Sequence, residues 1–199
     1  MTRVKLIGLT GQSGAGKSTA AEMFAESGMT VINADALVAE IYESSPACLR
    51  AVAASFGQDI IGTDGRLDRR LLAKRTFESK ENTALLGSIV HPFVIAETLK
   101  ILKTISGTAV FDAPQLFESN MDAVCDIIVS VTADESVRLR RIMERDGLMR
   151  EQARERISAQ YSEEFFRGHS DFTIENNGNL SRFRAHTSAF IEKITAGVM

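Results

Sequence analysis

The chain has 199 residues, with 23 Lys and Arg against 26 Asp and Glu for a formal net charge of −3, and it is 44% hydrophobic and 25% charged. That composition excludes extended disorder, buries a core without disulfides or structural metal, and is too acidic overall for broad nucleic-acid binding. Cys48 and Cys125 are too few for a disulfide framework and too far apart for a zinc pattern, which points to a reducing, cytoplasmic compartment, and no run of roughly 18 apolar residues marks a membrane span. In chain order, the basic start is followed by an apolar stretch too short for a signal peptide, and residues 4–10 read as a buried strand entering a Gly-rich turn. Ala20, Ala21, Phe24 and Ala25 recur at helical spacing over 17–26, and 29–33 is a second short strand. A helical pattern over 91–105 has Pro92 in its first turn, where proline is tolerated. Residues 108–111 and 126–131, rich in Val and Ile, are further strands. Alternating strands and helices imply an α/β fold with a mostly parallel sheet, whose ligand crevice lies beyond the carboxyl ends of the strands. The polar residues that matter are therefore those just after each strand: 11–19, Asp35 and Asp112.

Gly11-Gln12-Ser13-Gly14-Ala15-Gly16-Lys17-Ser18 fits the phosphate-loop pattern of Gly, four residues, then Gly-Lys-Ser/Thr. Typical residue frequencies give such a match in under about 1% of chains this long. Glycines let the backbone turn so that successive amides face one concavity, and the following helix adds its positive dipole end. Lys17 is placed to neutralise the β- and γ-phosphates, and the Ser18 hydroxyl to bind Mg²⁺. No Asn-Lys-x-Asp signature reads a guanine base, and Ala113-Pro114-Gln115 after Asp112 is not a switch motif. A compact phosphotransferase is thus favoured over a GTPase or a motor ATPase.

Such an enzyme needs a group that deprotonates the acceptor hydroxyl and arginines that stabilise the transferring phosphoryl charge. Asp35, at the end of the second strand, is either that base or the cap of a helix starting at Ala36. Arginines are dense from Arg138 to Arg156, mostly as a solvated face, but Arg141 and Arg145 lie four apart on one helix face and suit a lid over a triphosphate. Asp112 is either a metal-associated carboxylate or a turn residue. His91 either caps a helix or contacts substrate, and no His or Cys cluster marks a metal site or a nucleophile. No coiled-coil heptads appear that would set an oligomeric state.

From Lys5 to about Asn177 the chain resembles the dephospho-coenzyme A kinase family. The resemblance rests on the phosphate loop through Thr19, Val31-Ile32-Asn33-Ala34-Asp35, Asp64-Gly65-Arg66-Leu67-Asp68-Arg69 and Ile89-Val90-His91-Pro92. It continues with Ala113-Pro114-Gln115-Leu116-Phe117-Glu118, Arg141-Ile142-Met143-Glu144-Arg145-Asp146, Arg156-Ile157-Ser158-Ala159-Gln160 and Ile174-Glu175-Asn176-Asn177-Gly178. It implies a P-loop nucleoside-triphosphate hydrolase-like three-layer α/β sandwich with a five-stranded parallel sheet. The core would span 1–35, 107–134 and 166–199, with a helical substrate-binding insertion over about 36–92 and a lid over about 135–160. The implied activity is ATP-dependent phosphorylation of the ribose 3′-hydroxyl of dephospho-CoA, giving CoA and ADP, on small-molecule substrates alone, with no nucleic-acid or membrane partner.

By that resemblance Asp35, Lys17 and Arg141 are the catalytic residues. Gly11, Ser13, Gly14, Ala15, Gly16, Lys17, Ser18, Thr19, Arg145, Asn177 and Gly178 hold ATP, Ser18 holds Mg²⁺ through ATP, and Asp35, Arg69, His91 and Phe117 contact the acceptor. Two positions depart from the family pattern. Asn33 stands where the first Asp of an Asp-Ala-Asp run is usual, and Gln115 stands within Pro-Leu-Leu. The alternatives are another small-metabolite or nucleotide kinase of this fold, or a non-catalytic ATP-binding switch module.

Overall fold

The computed structural model of the chain describes residues 4–196. In chain order the elements are β1 (Lys5–Gly11), α1 (Lys17–Glu26), β2 (Thr30–Asn33), α2 (Ala34–Ser44), α3 (Pro46–Phe56), α4 (Arg69–Thr76) and α5 (Lys80–Thr104). Then follow β3 (Thr108–Asp112), β4 (Ile127–Thr132), α6 (Glu135–Asp146), α7 (Arg150–Ser158), α8 (Glu163–His169), β5 (Phe172–Glu175) and α9 (Leu180–Thr195). Two compact units form: one from the residues up to Ile32 with those from Ile105 onward, the other from Asn33–Thr104.

The first unit is a three-layer α/β sandwich. Among the described residues its sheet has five strands in the order β2-β3-β1-β4-β5. The pairs of β1 with β3, β1 with β4 and β4 with β5 are parallel, with Ile7 opposite Val110 and Ile127, and Val131 opposite Ile174. The central strand β1 is buried from Leu6 to Gly11 because both its faces are covered, and Leu6, Ile7 and Leu9 supply its apolar side chains. Ile7 and Leu9 pack with Val129, Val131, Phe24 of α1 and Phe183, Phe190 and Ile191 of α9. Two aspartates complete the ladder where strands begin: the carboxylate of Asp126 accepts from the Leu6 N–H at 2.8 Å, and that of Asp171 from the Ile128 N–H at 2.7 Å. The four strands read from sequence are present within a residue or two. The fifth, β5, has only four residues and is exposed or half-buried at three of them, so its hydrophobic pattern is faint.

The second unit is helical, and its helices start where capping side chains dictate. Asn33 Oδ1 accepts from the Ala36 N–H at 2.9 Å, Ser45 Oγ from the Cys48 N–H at 3.3 Å, and Asp68 Oδ1 from the Arg70 and Leu71 N–H groups at 3.0 and 2.9 Å. Helix α2 therefore starts at Ala34 with Asn33 as its cap, which removes the alternative that Asp35 caps a helix starting at Ala36.

Helix α5 corrects a second expectation: it runs 25 residues without a break, and Pro92 lies inside it rather than in a first turn. Pro92 has no N–H to give the Ser88 carbonyl, a defect that normally kinks or stops a helix. The stripe of Val90, Val94 and Thr98 is buried on both sides of the defect, and α5 contacts α2, α3 and α4, so tertiary packing carries the helix through. By length and composition α5 is also apolar enough to cross a bilayer, a property hidden in the sequence by Gly87, Ser88, His91 and Pro92. Replacing Pro92 by Ala restores the missing bond. It is expected to stabilise the protein by about 1–2 kcal/mol after allowing for the looser unfolded chain. That is a rise in Tm of roughly 2–8 °C on thermal unfolding, and an unchanged or lower Tm would mean that α5 has adapted to the ring.

Candidate active site

The phosphate loop grows from the end of β1. The Gln12 N–H donates to the Val131 carbonyl at 3.2 Å, which ties the loop entry to β4, and the Ala15 N–H closes a turn on the Gln12 carbonyl at 3.0 Å. Gly14 (φ 78°) and Gly16 (φ 107°, the N-cap of α1) sit in the left-handed region. Space excludes a side chain at both: a Cβ on Gly14 would lie 2.9 Å from the Arg138 carbonyl oxygen, and one on Gly16 2.5 Å from Asn176 Nδ2. The amides of Gly14, Gly16, Lys17, Ser18 and Thr19 have no acceptor among the described residues. Helix α1 has no capping side chain and no acidic residue in its first turn. A helix N-terminus left bare in this way, behind a turn of inward amides, is an anion cradle.

Ala15 thus contributes shape rather than a free amide. The Ser13 N–H is held by Gln160 Oε1 at 2.9 Å. Lys17 Nζ forms an ion pair with Asp112, their side chains 15% and 7% exposed. Asp112 ends β3 as the counter-ion of the loop lysine and is no bare turn residue. Gly16→Ala is expected to cost about 1–3 kcal/mol of stability and to weaken nucleotide binding at least about tenfold. Thermal unfolding and titration calorimetry check it; wild-type values in both would show that the loop relaxes around a Cβ.

Helix α6 and the segment after β5 brace this loop from outside. Arg141 donates through Nη1 to the Gly14 carbonyl at 3.3 Å and through Nη2 to Asn176 Oδ1 at 3.3 Å. Burial lowers its guanidinium pKa, with Arg140 adding repulsion. Asn176, buried at the first position past β5, completes the brace by donating from Nδ2 to the Ala15 carbonyl at 2.7 Å. Sequence reasoning selected its neighbour Asn177, which instead ties to Asp134 by accepting from the Asp134 N–H at 2.7 Å. Gly178 follows and packs near Arg182. Arg145, on the same helix face as Arg141, is turned onto Asp146 at 2.8 and 2.9 Å, where Arg156 joins it.

The Asn33–Thr104 unit holds the other predicted residues except Phe117. Asp35 lies in the first turn of α2 and lines an apolar cavity of about 220 Å³ together with Val38, Ala39 and Tyr42, the i, i+3, i+4 and i+7 positions of one helix face. Tyr42, Leu67 and Arg69 also line a neighbouring cavity of about 410 Å³ that Arg66 and Glu43 make polar. Burial, helped by Cys48 and opposed by Arg69, pushes the Tyr42 hydroxyl up to about 12. Arg69 is held loosely, at 3.4 Å from the Ala39 carbonyl and 3.3 Å from the Glu43 carboxylate, so its guanidinium can swing to an anion. His91 lines neither cavity; its ring lies against Gly87 one turn back on α5, and burial lowers its pKa. Phe117 belongs to the first unit and packs edge-on to Phe165 with a centroid distance of 5.3 Å. Tyr42, Arg66, Asn176 and Gln160 were missed from the sequence. Arg66, Asn176 and Gln160 lie within motifs of the family resemblance, and Asn176 also obeys the strand-end rule that selected Asp35.

An amide cradle with a lysine at the carboxyl end of the central strand of a five-stranded parallel sheet defines a phosphate-loop protein. A shikimate kinase structure from Acinetobacter baumannii shares the fold, with a TM-score of 0.54 at 16% identity over 98% of this chain and 94% of that one. The profile of the dephospho-CoA kinase family matches residues 5–182. The dephospho-CoA kinase of Corynebacterium glutamicum is 37% identical over 96% of this chain and 98% of its own length. The structure of the dephospho-CoA kinase of Campylobacter jejuni superposes with a TM-score of 0.72 at 26% identity, covering 98% of each chain. The chain belongs to the dephospho-CoA kinase family, kinases of the last step of coenzyme A biosynthesis.

Proposed function

We propose that the protein transfers the γ-phosphoryl group of ATP to the ribose 3′-hydroxyl of dephospho-CoA, with Asp35 as the base and the loop 11–19 as the holder of the triphosphate. The observation that carries this reading is the set of five open amides at Gly14 and from Gly16 to Thr19, beside the partly buried Lys17–Asp112 pair. A triphosphate supplies the acceptors those amides lack, and Lys17 exchanges Asp112 for phosphate oxygens. Asp35 accepts the proton of the 3′-hydroxyl, whose oxygen bonds to the γ-phosphorus as the bond to the β,γ-bridging oxygen breaks and ADP leaves. Arg141, already desolvated against the loop, stabilises the charge on the moving phosphoryl group. Arg66 and Arg69 take the pyrophosphate of the acceptor, and the apolar face of α2 takes its uncharged part.

Mg²⁺ fits the donor set: the Ser18 hydroxyl has no hydrogen bond among the described residues, and the Asp112 carboxylate ends the adjacent strand, both hard oxygens suited to that ion. When bound with ATP it neutralises charge on the β- and γ-oxygens. Both cysteines are free thiols, which suits the reducing cytoplasm. Incubation of the purified protein with Mg-ATP and a panel of acceptors tests the reading. A product phosphorylated on the ribose 3′-oxygen of dephospho-CoA is expected; turnover of shikimate, gluconate or a nucleoside monophosphate in its place would overturn the acceptor assignment.

A further inference from the structure

Gln160 meets the phosphate loop from 147 positions further along the chain, and neither the motif nor the proposed chemistry uses it. Its Oε1 accepts the Ser13 N–H at 2.9 Å, a full-strength bond to the amide that adjoins the first open donor of the cradle, Gly14. A carboxamide has one acceptor and two donors on the same planar group. With Oε1 committed, Nε2 is left beside the cradle, and no hydrogen bond from it occurs among the described residues.

The backbone of Gln160 is fixed as well. Its N–H donates to the Ile157 carbonyl at 3.2 Å, closing the end of α7. Ile157 is buried in the small core of Leu139, Ile142 and Ala153 that joins α7 to α6, the helix that carries Arg141. Gln160 is thus anchored to the helix pair that also carries Arg141. The charge logic is separate from that of Lys17 and Arg141. Two cations act on any phosphate oxygen within range, whereas a neutral donor held at one edge of the cradle selects by reach.

We propose that Gln160 is a specificity-determining residue of the nucleotide site: its Oε1 holds the Ser13 amide while its Nε2 donates to an oxygen of the terminal phosphoryl group, so that it favours triphosphate over diphosphate. This rests on the reading of the loop as the ATP site. It gives the enzyme a hold on ATP that lapses once the phosphoryl group has moved and ADP must leave.

The test is calorimetric binding of ADP and of the non-hydrolysable β,γ-imido analogue of ATP, without acceptor, to the wild type and to Gln160→Glu and Gln160→Ala. The glutamate keeps an acceptor for the Ser13 N–H but has no donor and adds negative charge. It is expected to retain the wild-type Tm and to bind the triphosphate analogue at least about tenfold more weakly, with ADP changed by less than about threefold. The alanine variant is expected to lose about three- to tenfold on the triphosphate alone. Equal losses on both nucleotides, no loss on either, or tighter triphosphate binding by the alanine variant would each overturn the proposal, the last by making Gln160 a plug that phosphate displaces. A wild type that binds neither nucleotide would instead overturn the kinase reading, and this proposal with it.

Discussion

Asp35→Asn is expected to lower kcat by at least about 10²-fold, the usual contribution of a positioned general base. The local structure makes this a clean substitution. Capping of α2 falls to Asn33, whose side chain accepts from the Ala36 N–H, so no capping bond is lost with the Asp35 carboxylate. What stability Asp35 supplies is the attraction of a first-turn acid to the helix N-terminus, about 0.3–1 kcal/mol for such a group. Asparagine keeps the shape that Asp35 presents to the cavity it shares with Val38, Ala39 and Tyr42, so acceptor KM should move by no more than a few-fold. Rate measurement under saturating ATP and acceptor, with thermal unfolding alongside, separates the roles. A near-normal kcat would remove Asp35 from the chemistry, and a large loss of Tm with unchanged kcat would make it structural.

The sequence carried the parts of this site that are contiguous, because the phosphate loop draws its chemistry from backbone amides that one stretch of glycines arranges. It carried poorly what tertiary structure assembles. Asn33 and Asp35 are two residues apart and both suit a helix cap; only the backbone at residue 33, extended where the chain leaves β2, assigns the cap to Asn33 and leaves Asp35 to line a cavity. Arg141 and Arg145 share a helix face, but Asp146 is adjacent to Arg145 and outcompetes any more distant partner, while Arg141 finds carbonyls of a loop some 127 positions away. Asn176 and Gln160 lie within motifs of the resemblance, but their roles stayed hidden because each meets a main-chain atom of the phosphate loop, the Ala15 carbonyl and the Ser13 amide, and main-chain atoms leave no trace in a residue pattern. The same physics hid the course of α5: local propensity stops a helix near Pro92, and only the buried stripe of Val90, Val94 and Thr98 shows why it continues.

Lys17→Ala should be the most damaging single change, and its two effects should come apart in a double variant. Removal of a charge-assisted donor to the transferring group is expected to lower kcat by about 10²–10³-fold. In the nucleotide-free protein the same change takes away the ammonium that the Asp112 carboxylate faces, at a position where the Asp112 side chain is only 7% exposed. Breaking a buried pair from one side costs about 3–5 kcal/mol, because the remaining charge keeps its desolvation without its partner. In a chain of this size that is a fall in Tm of roughly 6–20 °C. The Lys17→Ala, Asp112→Asn double variant should recover most of that Tm, since the carboxylate charge that Lys17 offset is gone with it, and none of the activity, since phosphate has lost its lysine. Thermal unfolding of the two single variants and the double, measured without nucleotide, gives the coupling energy of the pair directly. A coupling near zero would show that the lysine is held by the loop alone, and that Asp112 does not keep it poised for phosphate.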